Sequence, residues 1–178
     1  MNIKIIMFKK IQQRFLRKRI HKNLKNRDTS KINEPLKTLG FLVDEDLFNE
    51  FERLFELVKD IGLQRKDVKI FTFIRVKKKV PSLRQNQINN KHFTWKGEID
   101  NLNAKEFLDI PFDVLVGYYK GDHEFLNLMM SASKAKFKVG FSGTDDRLSD
   151  LLINVDLIKV EEFKIEFIKY LRVLNKIN

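Results

Sequence analysis

The sequence predicts an α/β fold, and three observations lead to this prediction. Short apolar runs that fit buried strands alternate along the chain with segments whose apolar residues recur at helical spacing. A strand, a helix and a second strand in that order form a crossover unit, whose two strands are parallel. The chain has 178 residues, of which 43% are hydrophobic, and this is enough for one buried core. We therefore expect a three-layer α/β/α sandwich with a mostly parallel, Rossmann-like sheet, preceded by a basic N-terminal helix.

The first elements follow from apolar spacing. Residues 3–26 predict one basic helix, because neither proline nor glycine interrupts them. Residues 38–43 are a short apolar run that fits a buried strand, and residues 47–58 have the spacing of an amphipathic helix. Residues 67–76 predict the next strand. The Asp-Glu-Asp sequence at 44–46 is expected to cap the helix that follows it, since carboxylates satisfy free N–H groups at a helix start.

The second half of the chain completes the sheet and its helices. Residues 77–97 are polar and basic and predict a loop, in which residues 85–90 have no periodicity. The strongest strand signal is at residues 114–118. The other predicted elements are a short edge strand at 93–95, one helical turn at 105–108, helices at 123–134 and 160–174, and strands at 136–141 and 151–155. We divide the chain into a basic helical extension at 1–30 and a single α/β domain at 31–178.

The positive charge is concentrated in two segments. The net charge is +11, yet residues 1–27 contain ten basic and no acidic residues, and residues 68–97 contain eight basic and no acidic residues. The remaining residues carry 17 of the 35 basic side chains and all 24 acidic ones. Like charges at this density repel one another unless a polyanion is present. This pattern favours a non-catalytic protein that binds nucleic acid, with structured RNA, most specifically ribosomal RNA, as the partner and ribosomal proteins as further neighbours.

The predicted nucleic-acid contacts lie on the basic N-terminal helix and on the basic loop at 75–96, which also contains two aromatic residues. Cations hold phosphates, and aromatic rings stack on unpaired bases. Lysines at 134, 136 and 138 extend this surface if their strand lies at a sheet edge. The predicted contact residues are Lys9, Lys10, Arg14, Arg17, Lys18, Arg19, Lys22, Lys25, Arg27, Arg75, Lys77, Lys78, Lys79, Arg84, Lys91, Phe93, Trp95 and Lys96.

Several classes of site are disfavoured by composition. The chain has no cysteine, which excludes disulfides, thiolate metal sites and thiol nucleophiles. Its three histidines, His21, His92 and His123, are far apart in sequence, so no histidine metal site is expected. We predict no metal, cofactor or small-molecule substrate. No apolar run approaches the roughly 18 residues that span a bilayer, and the start lacks the order of a secretory signal, so we expect a cytoplasmic protein.

A peripheral membrane protein is the first alternative. Ile5, Phe8, Ile11 and Phe15 share one stripe of the predicted N-terminal helix. A basic helix with such a stripe can lie on the anionic inner face of a membrane.

A small transferase or phosphatase is the second alternative, with its site at the strand ends near Asp44 and Gly117. Two carboxylates after an apolar strand, as at Asp44 and Asp46, are similar to the aspartate pair of haloacid-dehalogenase-type phosphatases, although capping is the favoured interpretation. Residues 117–121, Gly-Tyr-Tyr-Lys-Gly, lie at a strand-to-helix junction, where Lys120 could face an anion. An ordinary turn is favoured there.

A resemblance to known families covers most of the chain. The residues that carry it are 111–116 and 126–140, the basic N-terminus, the strand around Gly40 and residues 93–97. They resemble a family of short basic proteins from Bacteroidota whose function is unknown, so the resemblance implies no activity. Residues 111–140 are also similar to the N-terminal half of bacterial heptosyltransferases, which implies a Rossmann-like fold. Gly117 stands where those enzymes have a carboxylate, and their second, sugar-nucleotide-binding domain has no counterpart.

Overall fold

A computed structural model describes residues 3–77 and 82–178, apart from the side chains of residues 3–6, 8 and 9. The described residues form six strands and five α-helices. The strands are β1 (Leu39–Asp44), β2 (Val68–Ile74), β3 (Gln87–Asn89), β4 (Val114–Tyr118), β5 (Phe137–Phe141) and β6 (Leu151–Ile153). The helices are α1 (Ile3–Lys25), α2 (Phe51–Lys59), α3 (Leu102–Asp109), α4 (Glu124–Ala132) and α5 (Val160–Val173).

The six strands form one sheet in the order β3-β2-β1-β4-β5-β6, and all neighbouring strands are parallel. The strand order reverses between β1 and β4, which is the topological switch point of a Rossmann-like sheet. Helices α2 and α5 cover one face, and α1, α3 and α4 cover the other. The predicted three-layer sandwich is confirmed.

Successive side chains of a strand point to opposite faces of the sheet, so each strand contributes to the hydrophobic core on both faces. In β1, Phe41 and Val43 pack on the side of α2 and α5, while Leu42 packs on the opposite side. Because helices cover both faces, every residue of the central strands β1 and β4 is buried. This explains why these two strands read as continuous apolar runs.

Helix α1 contributes its C-terminal half to the α3/α4 layer. Leu16 is 1% exposed and Ile20 is 5% exposed. Asn23 Nδ2 donates a hydrogen bond to Ser131 Oγ near the end of α4 (3.0 Å), and Arg17 lies beside Asp122 at the start of α4. These contacts make α1 parallel to α4. The division into a helical extension at 1–30 and a single domain at 31–178 stays a prediction.

Two predictions about the polar region are wrong. An edge strand, β3, forms at Gln87–Asn89, where a loop was expected. Ile88 is its one apolar residue in the core, and backbone pairing with β2 stabilises the strand. The edge strand expected at 93–95 is instead a single antiparallel bridge between Phe93 and Ile99. A three-residue strand bounded by polar side chains has too few positions to show a period.

The expected cap at 44–46 is also wrong. Helix α2 begins at Phe51, and the N–H groups of Leu47 and Phe48 instead bond to the Asp44 carbonyl in a turn. Phe48 is buried, so the chain enters the core before the helix starts. Asp44 consequently ends β1 as a buried carboxylate at the carboxyl edge of the sheet.

Lys138 does not extend a positive surface. Its strand, β5, lies between β4 and β6 rather than at an edge, and its side chain is 1% exposed. The Lys138 Nζ donates to the carbonyl of Met130 in α4 (2.6 Å). The side chain therefore lies beneath the α4 layer.

Candidate nucleic-acid interface

The structure divides the cations of α1 into two groups. Two arginines, Arg17 and Arg19, lie near acids of the body: Arg17 is 3.8 Å from Asp122, and Arg19 is 3.5 Å from Glu98. Both contacts are exposed and contribute little to stability. They nevertheless show which side of the helix the acidic body compensates.

Arg27 is held most firmly. Its guanidinium donates to both carboxylate oxygens of Asp150, at 2.9 and 2.6 Å, and to the Lys136 carbonyl at 3.2 Å. Its side chain is only 12% exposed, and its Nε atom is buried without a hydrogen-bond partner. Arg27 was predicted as a nucleic-acid contact, but the structure commits it to an intramolecular ion pair.

The second group lies on the outer side of α1 and is exposed: Lys10, Arg14, Lys18, Lys22 and Lys25, here called the basic stripe. Within residues 3–77 and 82–178, no carboxylate forms an ion pair with any of them. Positions 14, 18, 22 and 25 follow one another at helical spacing, so this part of the stripe extends over about 16 Å. The basic stripe is a row of cations that the protein itself leaves uncompensated.

Part of the second basic segment packs beside α1. The rings of Phe15 and Trp95 meet edge to face, with centroids 5.2 Å apart. Gly97 has φ +75°, a conformation that favours glycine, and a Cβ there would lie 3.3 Å from the Leu16 Cδ2, so a residue without a side chain lets this turn approach the helix closely. Trp95 and Lys96 are thereby placed next to the basic stripe. Neither Phe15 nor Gly97 was predicted as part of the site.

Arg75 also approaches α1. With Gln13 and Arg17 it lines a crevice of about 260 Å³ at the carboxyl edge of the sheet. Its guanidinium carbon lies 5.7 Å from the centre of the Phe125 ring. The structure therefore brings Arg75 to the same side of the molecule as α1.

Other predicted contacts are not brought to this surface. Arg84 binds Glu45 and lies over Phe51, which packs against the core on the α2/α5 side. Lys77 and Lys91 are exposed, although Lys91 has an intramolecular contact. Three predictions lie outside the described residues: Lys78, Lys79 and the side chain of Lys9.

Phe93 was predicted to stack on a base, and the structure contradicts this. Its side chain is 5% exposed, and its ring packs against Phe125 (centroids 4.6 Å apart) and Phe73 (6.3 Å). Burial among aromatic rings contributes to the α3/α4 core and leaves no free face. A single aromatic residue, Trp95, therefore remains from the predicted stacking pair.

The enzyme alternative depends on the groups at the carboxyl edge. His123 Nδ1 accepts a hydrogen bond from the Leu126 N–H (3.1 Å) and thereby caps α4. His123 Nε2 lies 3.7 Å from Asp44 Oδ2, beyond hydrogen-bond length. Burial lowers the pKa of His123 to about 4, so the imidazole is neutral at neutral pH and its contact with Asp44, whose pKa burial raises, is not an ion pair. With Nδ1 accepting from the backbone, the imidazole has no free acceptor nitrogen for general-base work.

The glycines at 117 and 121 have structural roles. A Cβ on Gly117 would lie 2.8 Å from the Tyr119 ring, so glycine permits close packing there, and Gly121 adopts φ +69° in a turn. Lys120, the residue expected to face an anion, forms an ion pair with Asp156 (2.9 Å). The described residues also hold no group of three or more histidine, aspartate or glutamate side chains placed to bind a metal ion.

Comparison with known proteins identifies a family. No curated protein and no solved structure matches the chain. In the described part of the chain, no helix has both the length and the apolar character needed to cross a membrane. Residues 12–174, which include most of α1 and the whole sheet, match one protein family. The chain belongs to this family, DUF6913, a family of unknown function.

Proposed function

We propose that this protein binds structured RNA through the basic stripe of α1, and that ribosomal RNA within ribosomal particles is its target. The observation that carries the proposal is the division of the α1 cations. Arg17 and Arg19 of α1, and Arg27 just after it, lie near Asp122, Glu98 and Asp150, whereas no described carboxylate forms an ion pair with the basic stripe. A row of uncompensated cations is a site for a polyanion.

Release of counterions from the nucleic acid supplies the affinity. Each phosphate that a lysine or arginine neutralises releases condensed cations, so the binding constant falls steeply with salt. Five contacts from the basic stripe correspond to a slope of log K against log salt of about −4.5.

The way α1 is docked favours recognition of shape over reading of bases. A helix that reads DNA enters the major groove. From Leu16 to Asn23, α1 is flanked by α4, and residues 93–99 lie against its other flank. The exposed side can follow phosphates on a surface, which is how structured RNA is recognised when no base is read.

The test compares two triple variants of the full chain that change the net charge equally. The first replaces Lys18, Lys22 and Lys25 with glutamate. The matched control replaces three exposed lysines away from the α1 face with glutamate: Lys37, Lys59 and Lys66. Fluorescence anisotropy with a labelled RNA hairpin measures binding at several salt concentrations, and sedimentation of lysate through a sucrose gradient tests association with ribosomal particles.

We expect the stripe variant to lose about tenfold or more in RNA affinity and to flatten the salt dependence, while the control binds nearly as the native protein does. Equal losses in both variants would mean that only net charge matters and would overturn the assignment to α1. Equally tight binding to a DNA duplex of the same sequence would overturn the preference for RNA. Absence from ribosomal fractions would overturn the ribosomal target.

A membrane surface is a second candidate, favoured by one observation. Met7 is 60% exposed and Ile11 is 43% exposed, and both lie on α1 next to Lys10, the first residue of the basic stripe. Such residues can enter the interface of an anionic bilayer. Flotation with phosphatidylserine vesicles tests this, with Met7→Ser/Ile11→Ser as the variant. Loss of flotation in that variant with unchanged RNA binding would support a membrane role, and no flotation of the native chain would exclude it.

A further inference from the structure

We infer that the preferred RNA has an unpaired nucleotide next to its duplex, and that the base of this nucleotide stacks on Trp95 while the basic stripe holds the neighbouring phosphates. This inference rests on the proposed function and specifies the substrate class of the same surface. It depends on how the turn at residues 94–98 is built and on where that turn meets α1.

A closed turn presents Trp95. The Thr94 N–H bonds to the Glu98 carbonyl (2.9 Å), and the Gly97 N–H bonds to the Thr94 carbonyl (3.0 Å). Phe93, before the turn, is buried, and the bridge from Phe93 to Ile99 closes its base. Trp95 lies near the tip of this turn with 45% of its surface exposed. The indole is therefore presented to solvent from a hydrogen-bonded turn.

Contacts with α1 hold the indole in place. The Phe15 and Trp95 rings lie at 87° to each other, an edge-to-face arrangement. The turn is also tied to the helix by the ion pair between Arg19 and Glu98. A ring held in one orientation loses little conformational entropy when a base stacks on it. Stacking on such a ring does not depend on the identity of the base, since every base has a π-face.

The cations around Trp95 fit a nucleotide rather than an isolated apolar group. The Lys96 Nζ lies over the Trp95 ring, 5.3 Å from its centre, in a cation–π contact, so a stacked base would share the indole with this cation. Phe15, which touches Trp95, is one residue from Arg14 and three residues from Lys18 on the same helix. The indole thus lies within about one helical turn of the basic stripe. A base stacked on Trp95 would have its own phosphate near Lys96 and the adjoining phosphates near α1.

The experiment uses the fact that Trp95 is the only tryptophan in the chain. Its intrinsic fluorescence is recorded while the full-length protein is titrated with two RNA hairpins that share one stem. One stem is fully paired, and the other carries a single bulged adenosine. We expect the bulged RNA to quench the emission and to bind about fivefold to a hundredfold more tightly than the paired RNA.

Two variants separate stacking from packing. Trp95→Leu keeps an apolar side chain against Phe15 and should bind the two hairpins equally, whereas Trp95→Phe keeps a ring and should retain part of the preference. Ile158→Leu, an exposed apolar position on the α2/α5 side, should change nothing. Anisotropy with labelled RNA measures these variants.

The failures of the two proposals are distinguishable. If both hairpins bind equally and neither quenches Trp95, while the Lys18/Lys22/Lys25 variant still loses affinity, the stacking inference is wrong and the proposed function stands. If the lysine variant binds both hairpins as the native chain does, the proposed function is wrong, and the inference that rests on it is wrong as well.

Discussion

The lysine buried beneath α4 should make the stability of this protein depend on pH in the alkaline range. Lys138 lies in an interior strand with its side chain 1% exposed, and its Nζ donates to the Met130 carbonyl. Burial is the main cause that lowers the pKa of Lys138 from 10.5 to about 7, the Arg27 cation lowers it further, and Asp150 opposes both. In the unfolded chain the same amine has the ordinary pKa of a lysine.

The sign and size follow from linkage. Between the folded and unfolded pKa values of Lys138, the unfolded chain holds a proton that the folded chain has released, so stability rises as the pH rises. The slope approaches 1.36 kcal/mol per pH unit, so the free energy of unfolding should increase by about 3 kcal/mol between about pH 7 and about pH 9.5. Above that range the buried hydroxyls of Tyr118 and Tyr119, whose pKa values burial raises, oppose the trend as unfolded tyrosines ionise.

The assay is urea unfolding, followed by circular dichroism, for the native chain and for Lys138→Met. Methionine has a similar length and does not titrate, so the variant should show a nearly flat profile over this pH range. The lost hydrogen bond to Met130 lowers the free energy of unfolding by about 1 kcal/mol at every pH, so it does not change the slope of stability against pH. Lys176, whose pKa burial also lowers, remains in the variant and accounts for any residual slope. Parallel profiles for the two proteins would refute the assignment of the pH dependence to Lys138.

Two further substitutions test packing and charge burial by urea unfolding at neutral pH. Asp150→Asn removes the carboxylate partner of Arg27, whose side chain is 12% exposed, and should lower the free energy of unfolding by about 3 kcal/mol. The control, Glu166→Gln in an exposed ion pair, should lower it by less than about 1 kcal/mol. Similar losses in both variants would show that burial of the Arg27 ion pair does not matter. Gly40→Ala places a Cβ 2.9 Å from Leu115 Cδ1 in the α3/α4 core and should cost about 1–3 kcal/mol; unchanged stability would show that this core accommodates a methyl group.

The periodicity of apolar residues was sufficient to predict a helix or strand wherever that element is long and buried. The strand at 114–118 and the helix over 3–26 were predicted within a residue of their observed bounds, because apolar spacing and the absence of breakers are local properties. It failed at Gln87–Asn89, where backbone pairing with a distant strand forms the element. The helix cap predicted at Asp44 was wrong because a carboxylate after a strand is equally consistent with a helix cap and with burial against another helix.

At the candidate site, the sequence identified the cationic segments but not which of their side chains are available for contacts. Composition identified α1 and the segment around Trp95 as cationic, but it treated Arg27, Phe93 and Lys22 as equivalent contacts. Arg27 is bound to Asp150, 123 residues away in sequence, and Phe93 is covered by Phe125. Neither partner can be identified from the residues that neighbour these positions in the chain.

The α/β class, the two acid-free segments and the helical character of the N-terminus can be read from the amino-acid sequence, because each depends on residue type and spacing along the chain. Which charges are compensated, which aromatic ring remains exposed and which lysine is buried in the sheet became known from the folded structure. Burial and charge neutralisation depend on distances between residues far apart in sequence. Those distances exist only once α1 has docked on α4 and the strands have paired.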